Sequence, residues 1–586
     1  EDRSVAVVCN GEIYHFRELR QDLIAKGHRF ETGSDSEVVV HLYEEEGTDF
    51  LRRLDGMFGL AVWDSRRKIL VLARDRLGIK PVYVQQTDDE LLFGSELKSL
   101  LAANDARPEF STPAIHEYLA WGYVPQPHTI FEGIHKLPPA TALVVDLSTG
   151  RTKEHSFWAP RLAETDGIST EEWAERLRRE VEVEVRAQMV SDVPLGAFLS
   201  GGIDSSSVVA MMAKSSQAPV KTYAIGFDDD QAGKYYDETQ YARKVADLFK
   251  TDHTEIRVKP DVVSLLPQLL WHLDEPVADS AFVTTYLVSQ LAAKDVKVIL
   301  SGVGGDELFG GYRRYLGDYY GKWVNLIPSP LRKRVLEPML RKLPNDRHSR
   351  ISNYLRYARS LVLSNDLSEE ERYREYVGVF DDRLASAVHE AGESRGGTFH
   401  NAFESATSGG PNRLMAVDLV TQLPDDLLVL TDKMTMATSI ECRVPLLANG
   451  LVDLALAMPS NHKISGKSLK HVLKLAMGDV LPQEILYRPK RGFGAPMGMW
   501  LKSSLSGVTD ELLSDNSISS RGIFDAGSIH RIRDRHAKQQ DDFSDHLQAL
   551  VNLEVFARIY VDGRSVDDVA GELTAIAAES ATSNGQ

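Results

Sequence analysis

Leu195-Gly-Ala-Phe-Leu-Ser-Gly-Gly-Ile-Asp-Ser-Ser206 decides how this chain is built. An apolar run, Leu195 to Leu199, passes through a serine and two glycines into Val208-Val-Ala-Met-Met212, which reads as a helix. Strand, Gly-rich turn and helix in direct succession make an anion cradle. The paired glycines let the backbone approach an anion closely and take φ values that other residues resist. The helix start aims free N–H groups and partial positive charge at the same point. Hydroxyls of Ser200, Ser205 and Ser206 add hydrogen bonds, and Asp204 offers a carboxylate to magnesium. No Gly-x-x-x-x-Gly-Lys-Ser/Thr stretch occurs, which separates this loop from the usual kinase and GTPase type. A bare Ser-Gly-Gly fits a flexible turn equally well; the flanking strand and helix are what make it a site.

The same alternation continues on both sides. Trp173, Leu177, Val181 and Val185 recur every four residues, an amphipathic helix. After the loop come a strand at Lys221 to Phe227, a helix at Glu238 to Phe249, a strand at Thr254 to Val258, a helix, and a strand at Val296 to Leu300. This order predicts a parallel sheet with helices on both faces. From about residue 312 the chain reads as mostly helical. Residues 1 to about 150 differ: Val5 to Val8, Gly59 to Trp63, Ile69 to Ala73, Pro81 to Val84 and Leu91 to Phe93 are short apolar runs, most of them bounded by turn or charged residues. Helices are expected at Phe16 to Lys26 and Ser36 to Glu46, so this part reads as an α+β layered sandwich. The polar stretch Arg161 to Thr170 marks the boundary. The expected units are residues 1–160, residues 171–573, and a disordered small-residue tail at 574–586. The chain opens on Glu1 and enters a strand almost at once, so a truncated N-terminus is expected.

A length of 586 residues exceeds what one hydrophobic core usually serves. The formal net charge of -18 argues against a nucleic-acid-binding surface, which needs a basic stripe. Only Cys9 and Cys442 are present, so no disulfide framework is expected and a cytoplasmic setting is the default. No apolar run has the length of a bilayer span, and no signal peptide is visible.

Ser200-Gly-Gly-Ile-Asp-Ser205 resembles the pyrophosphate loop (PP-loop) of the ATP pyrophosphatase superfamily. Ser191-Asp-Val-Pro194, Ser301-Gly-Val-Gly-Gly-Asp-Glu-Leu-Phe-Gly-Gly-Tyr312, Asp432-Lys-Met-Thr-Met-Ala437, Glu441-Cys-Arg-Val-Pro-Leu446 and Arg488-Pro-Lys-Arg-Gly-Phe493 narrow the resemblance to the glutamine-hydrolysing asparagine synthetases. The resemblance spans nearly the whole chain, with the motifs in family order. It implies an α/β parallel-sheet PP-loop ATP pyrophosphatase domain with a helical C-terminal part, using ATP and Mg2+. Leu199 and Ile225 would frame the adenine. Ser200, Gly201, Gly202 and Ser205 would hold the phosphates, with Ser301 and Gly302 near the ribose or α-phosphate. Asp204 and Asp306 would share the magnesium–pyrophosphate, Lys490 would stabilise charge on the α-phosphate, and Tyr312 could reach the acceptor or simply pack. Arg488, Lys490 and Arg491 cluster in an otherwise acidic chain, which speaks against a merely solvated lysine.

Before the boundary, Asn10-Gly-Glu-Ile-Tyr14 and Gly33-Ser-Asp-Ser-Glu37 resemble the glutamine-binding segments of the family's N-terminal-nucleophile amidotransferase domain. Asp75 to Pro81 and Gly94 to Lys98 match further family motifs. By that likeness Asn10 and Gly11 form an oxyanion hole, while Glu12 and Asp35 bind the α-ammonium of glutamine. The family's nucleophile is an N-terminal cysteine; Cys9, inside a strand, reads as a buried apolar residue. Two positions depart from the pattern. Val303 stands where asparagine synthetases often carry an acidic residue, and Ala448 replaces a common aspartate. Three readings follow: aspartate amidation through β-aspartyl-AMP with ammonia from glutamine, amidation of another carboxylate on a surface sugar or secondary metabolite, or β-lactam-type cyclisation with a structural glutaminase half. Asp279 and Glu307 are the candidate carboxylates to replace what Val303 lacks; a helix cap and a structural salt bridge fit them equally well. The partners implied are small molecules only, with no nucleic acid and no membrane, and a homodimer as the common assembly of relatives.

Overall fold

The computed structural model describes residues 3–104, 107–228, 237–259, 261–324, 326–341, 359–380, 397–407, 409–490, 492–538 and 541–583. The N-terminal half holds β1 (Val5–Tyr14), β2 (Asp55–Asp64), β3 (Ile69–Arg74), β4 (Tyr83–Gln86), β5 (Leu91–Gly94), β6 (Ile134–Lys136), β7 (Thr141–Asp146) and β8 (Arg151–Ser156). Five of these form an antiparallel sheet in the order β1-β2-β3-β7-β8, and three form a second sheet, β5-β4-β6. Side chains alternate across the larger sheet, as the pleat requires. Leu60, Val62, Val71 and Ala73 pack beneath the helices Phe16–Ala25 and Glu37–Glu46. Ala61, Leu72, Leu143 and Val145 face Val82 and Val84 of the smaller sheet region. The result is the layered sandwich expected from the short apolar runs.

The C-terminal half is built on β9 (Leu195–Phe198), β10 (Lys221–Phe227), β11 (Asp252–Val258), β12 (Val298–Leu300) and β13 (Glu441–Arg443). All pairings are parallel and the order is β11-β10-β9-β12-β13. The chain therefore winds away from β9 on one side, then returns to add β12 on the other. The crevice at the carboxyl ends of β9 and β12 is a topological switch point, where open α/β sheets bind ligands. Both faces are covered. Ala197, Ala224, Val298 and Leu300 pack against the helices Thr170–Gln188, Ile203–Ser215 and Thr239–Phe249. Tyr223, Ile225, Ile299 and Cys442 pack against the helix Ala281–Ala292.

The expected disordered tail is not what forms at residues 574–583. The helix Val566–Ser583 runs through them. Val569 and Leu573 are fully buried, with Ile576 and Ala577 packed on the same core, beside the helix Val262–Leu273. Small residues suit a close helix–helix contact as readily as they suit disorder. Residues 584–586 and Arg491 lie outside the described residues. No described helix is long and apolar enough to cross a membrane.

The two halves meet over buried charge. Lys80 Nζ lies 2.6 Å from Asp432 Oδ1, and both side chains are nearly fully buried. Lys98 and Lys433 both bind Asp274, at 2.5 and 2.6 Å. Lys136 lies 3.0 Å from Glu275. Burial alone would raise the Asp274 pKa, but Lys433 and Lys98 outweigh it and hold the group below its ordinary value. The motifs Asp75 to Pro81, Gly94 to Lys98 and Asp432 to Ala437 supply Lys80, Lys98, Asp432 and Lys433 to these pairs, while Asp274, Lys136 and Glu275 lie outside them.

Candidate active site

β9 ends at Phe198, and the loop after it folds on itself. The Leu199 amide donates to the Tyr223 carbonyl at 2.9 Å. Ser200 Oγ lies 3.0 Å from Ser205 Oγ and accepts from the Gly202 amide at 3.2 Å. Gly201 sits at φ 70°, in the left-handed region, and a Cβ there would lie 2.5 Å from the Tyr241 backbone. Gly202 then caps a helix of 13 residues, Ile203–Ser215. Its first N–H groups face the crevice, the anion-binding arrangement read from the sequence.

The loop after β12 closes the other side. A Cβ on Gly302 would lie 2.5 Å from the Ser205 amide nitrogen, so the two loops touch backbone to backbone. Ser301, nearly buried, donates its amide to the Arg443 carbonyl at 2.9 Å. Gly304, at φ 98°, starts the short helix Gly305–Phe309, which carries Asp306 and Glu307. Val303 packs against the core that holds Leu446 and Leu447.

Two carboxylates and two ammonium groups converge here. Lys470 Nζ lies 2.5 Å from Asp204 Oδ2 and 2.6 Å from Asp306 Oδ1. Lys490 is ion-paired with Asp306 Oδ2 and lies 3.9 Å from the Tyr312 ring centroid. The Tyr312 hydroxyl donates to Glu307. Asp204 Oδ1 is buried with no hydrogen-bond partner. Burial raises the Asp204 carboxyl despite Lys470. Burial also opposes ionisation of Asp306, but Lys470 and Lys490 together outweigh it and hold that group low. Burial, reinforced by Asp306, lifts Glu307 to about 7. Burial lowers Lys490 against the pull of Asp306.

The structure thus brings together Ser200, Gly201, Gly202, Asp204, Ser205, Ser301, Gly302, Asp306, Tyr312 and Lys490. Leu199 and Ile225 lie at the same sheet edge, but their side chains are buried in separate cores, on opposite faces of the sheet. Only their backbones can line the crevice. Arg488 anchors the lysine loop: it donates to the Gly201 carbonyl at 3.0 Å, pairs with Glu238 and stacks 4.4 Å from the Tyr241 ring centroid. Lys470 went unread in the sequence. Its signal was a lysine-rich run, Lys463 to Lys474, in an acidic chain; Lys463 and Lys470 are both buried, and nothing in the run marks Lys470 as the one that meets the carboxylates. Of the two candidate carboxylates, Asp279 accepts the Ala281 amide at 2.8 Å at the start of a helix, whereas Glu307 adjoins the cluster.

In the N-terminal half, Asn10, Gly11 and Glu12 lie on β1 opposite Gly59, Phe58 and Met57. Gly11 is obligatory, since a Cβ there would collide with the Met57 carbonyl. Asp35 Oδ2 accepts the Ile13 amide at 2.7 Å, which fixes the 33–37 loop against β1. Glu12 reaches Arg443 of the C-terminal half at 3.2 Å. Burial lifts its carboxyl to about 7, with Arg443 opposing. Cys9, read from the sequence as buried, is only half-buried, because it lies on a strand whose one face is partly open; burial still pushes its thiol up to about 12.

Residues 176–558 match the family model described as asparagine synthase, and residues 1–158 match that described as glutamine amidotransferase domain. The glutamine-hydrolyzing asparagine synthetase 1 of Bacillus subtilis is 33% identical, over 86% of this chain and 78% of its own length. Asparagine synthetase 3 of the same organism is 30% identical, over 83% of this chain and 74% of its own. The amidase chyE of Penicillium rubens is 25% identical, over 92% of this chain and 84% of its own.

Proposed function

The chain belongs to the asparagine synthase family, and we propose that it converts aspartate to asparagine with ATP, using ammonia from glutamine. It is a glutamine-hydrolysing ligase. In the proposed reaction an oxygen of the aspartate side-chain carboxylate attacks the α-phosphorus of ATP. The α–β bond breaks, pyrophosphate leaves, and β-aspartyl-AMP remains. Ammonia then attacks the acyl carbon, AMP leaves with the bonding pair, and the nitrogen gives up a proton.

The observation that carries this reading is the meeting of Asp204, Asp306, Lys470 and Lys490 at the switch point between β9 and β12. The loop Ser200–Ser206 offers amides and hydroxyls to the leaving pyrophosphate. Lys490, paired with Asp306 and lying over the Tyr312 ring, would stabilise charge developing on the α-phosphate. Lys470 holds the two carboxylates side by side and keeps Asp306 ionised. Asp204, with an unpartnered buried oxygen, and Asp306 supply the oxygen donors that magnesium prefers. Bound there, magnesium would neutralise phosphate charge. Glu307, lifted toward neutrality, is suited to accept the proton from the attacking ammonia. Asn10, Gly11, Glu12 and Asp35 would receive glutamine, Glu12 being shared with Arg443. On this reading the fold is an N-terminal-nucleophile amidotransferase sandwich, residues 1–160, joined to a PP-loop ATP pyrophosphatase domain, residues 171–573.

One observation favours a second acceptor. Val303 places an apolar side chain where acidity is common in the family, and an amidase-named relative matches along most of the chain. Amidation of another carboxylate would use the same nucleotide site. The deciding experiment supplies purified protein with ATP, aspartate and ammonium and follows products. AMP, pyrophosphate and asparagine in equal amounts support aspartate as the acceptor. AMP and pyrophosphate appearing only with a different carboxylate would replace it, and ADP with phosphate would overturn the mechanism.

A further inference from the structure

His28 follows the helix Phe16–Ala25, and His41 and Glu44 lie one turn apart on the helix Glu37–Glu46. Their donor atoms meet. His28 Nδ1 and His41 Nδ1 are 3.1 Å apart. Glu44 Oε2 lies 3.9 Å from the first and 3.5 Å from the second. Tetrahedral zinc with bonds of about 2.0–2.1 Å spaces its ligand atoms roughly 3.3–3.4 Å apart, close to this triangle. The far side of each ring is also occupied. His28 Nε2 lies 3.1 Å from Glu45 Oε1, and His41 Nε2 lies 3.8 Å from Glu37 Oε1. The Glu45 contact favours the His28 tautomer with hydrogen on Nε2, the arrangement typical of metal-bound histidine, while Glu37, too far for a hydrogen bond, biases His41 the same way only through its charge. That tautomer on both rings would set two Nδ1 lone pairs face to face, which a cation between them relieves. Phe30 packs on the His41 ring at 4.5 Å between centroids and fixes its plane.

We propose that His28 Nδ1, His41 Nδ1 and Glu44 Oε2 form a site for a zinc-class divalent cation. Two imidazoles and one carboxylate select zinc over magnesium or calcium, which take all-oxygen sets. Three protein donors leave one position for solvent. The site is separate from the nucleotide crevice and from the residues assigned to glutamine. It ties His28, just before the segment 29–36, to the helix that follows that segment, and Asp35 lies near the segment's end, next to that helix. Glu37 already ties that segment by accepting the amides of Glu31 at 2.6 Å and Thr32 at 2.8 Å. The cation therefore sets how firmly the segment is held.

The test is a zinc titration of the full chain, stripped with a chelator and dialysed, against a chromophoric competitor. One equivalent is expected to bind, with a zinc-dependent rise in melting temperature. His28→Gln and Glu44→Gln should each weaken zinc at least about tenfold and lose the thermal shift. Both should keep the wild-type rate of pyrophosphate release with ammonium as nitrogen donor. Absence of a stoichiometric site in the wild-type protein overturns the proposal. So does undiminished binding in both variants.

Discussion

Lys470 and Asp204, 266 residues apart in sequence, place ammonium and carboxylate 2.5 Å from one another at the edge of the central sheet. Lys470 adopts the left-handed conformation, φ 52°, to do so, and its side chain is almost fully buried. Removing that charge leaves Asp204 and Asp306 facing each other with Lys490 alone between them. Lys470→Met is expected to lower pyrophosphate release by ~10²–10³-fold, the range for losing one preorganised electrostatic group. Steady-state assays at saturating ATP check this, with circular dichroism confirming the fold. A rate within threefold of wild type would remove Lys470 from the machinery.

Glu307 has a folded-state pKa of about 7, raised from 4.5 by burial and by Asp306. A carboxyl that must accept a proton is active only when ionised. Turnover should therefore rise with pH through about 7 and level off above it. Glu307→Gln should lower turnover by ~10²–10⁴-fold and erase that limb. A pH–rate profile with the limb intact in the variant would assign the proton to another group.

Folding stability should respond to Glu307 in the opposite direction. Its folded pKa exceeds its unfolded value, so the folded state holds the proton more tightly. The stability this confers is complete below about 4.5 and is lost as pH rises through about 7. In Glu307→Gln the stability–pH slope across that window should flatten, as read by denaturant titration at several pH values.

The Gly302 contact decides how closely the loops after β9 and β12 approach. Gly302→Ala would place a methyl 2.5 Å from the Ser205 amide, backbone that cannot rotate away. The KM for ATP should rise at least about tenfold, since ~1.4 kcal/mol of lost binding suffices. The variant's melting temperature should also fall, because the clash is with backbone in the first turn of the helix Ile203–Ser215. An unchanged KM would show that the loops separate freely.

Lys80 and Asp432 test the junction between halves. Lys80→Met strands a buried carboxylate and should cost about 3–5 kcal/mol. Lys80→Met with Asp432→Leu removes both charges and should recover most of that loss. Equilibrium unfolding of the single and double variants measures the difference; equal instability in both would mean that packing, not charge, holds this point.

Much of the C-terminal fold was legible because its signals are local. The loop at Ser200–Ser206, the strand Lys221–Phe227 and the helix that ends at Phe249 follow from runs of apolar residues and a Gly-rich turn. β8 was not legible. Arg151–Ser156 is polar throughout and lies at the sheet edge, so it buries too little to leave an apolar pattern. β13 is three residues long and gains its structure only by pairing with β12. The segment 574–583 failed for the converse reason: its alanines and serines carry no strong pattern, yet they fit against a neighbouring helix.

The candidate site divides in the same way. Ser200, Gly201, Gly202, Asp204, Asp306 and Lys490 stand out in sequence because phosphate chemistry demands glycines, hydroxyls and charge at short spacing. Lys470 and the lysines at 80, 98 and 136 are ordinary surface residues by composition. Only the fold shows that Lys470, Lys80 and Lys136 are buried and Lys98 partly so, and which carboxylate each one meets. The sequence alone determined the parallel-sheet nucleotide half, the family resemblance and the loop that would cradle the phosphates, because each rests on residues adjacent in the chain. The tertiary structure decided which charges pair, which carboxylates stay ionised and how the halves join. Those properties depend on burial and on distances between residues far apart in sequence, which no local pattern encodes.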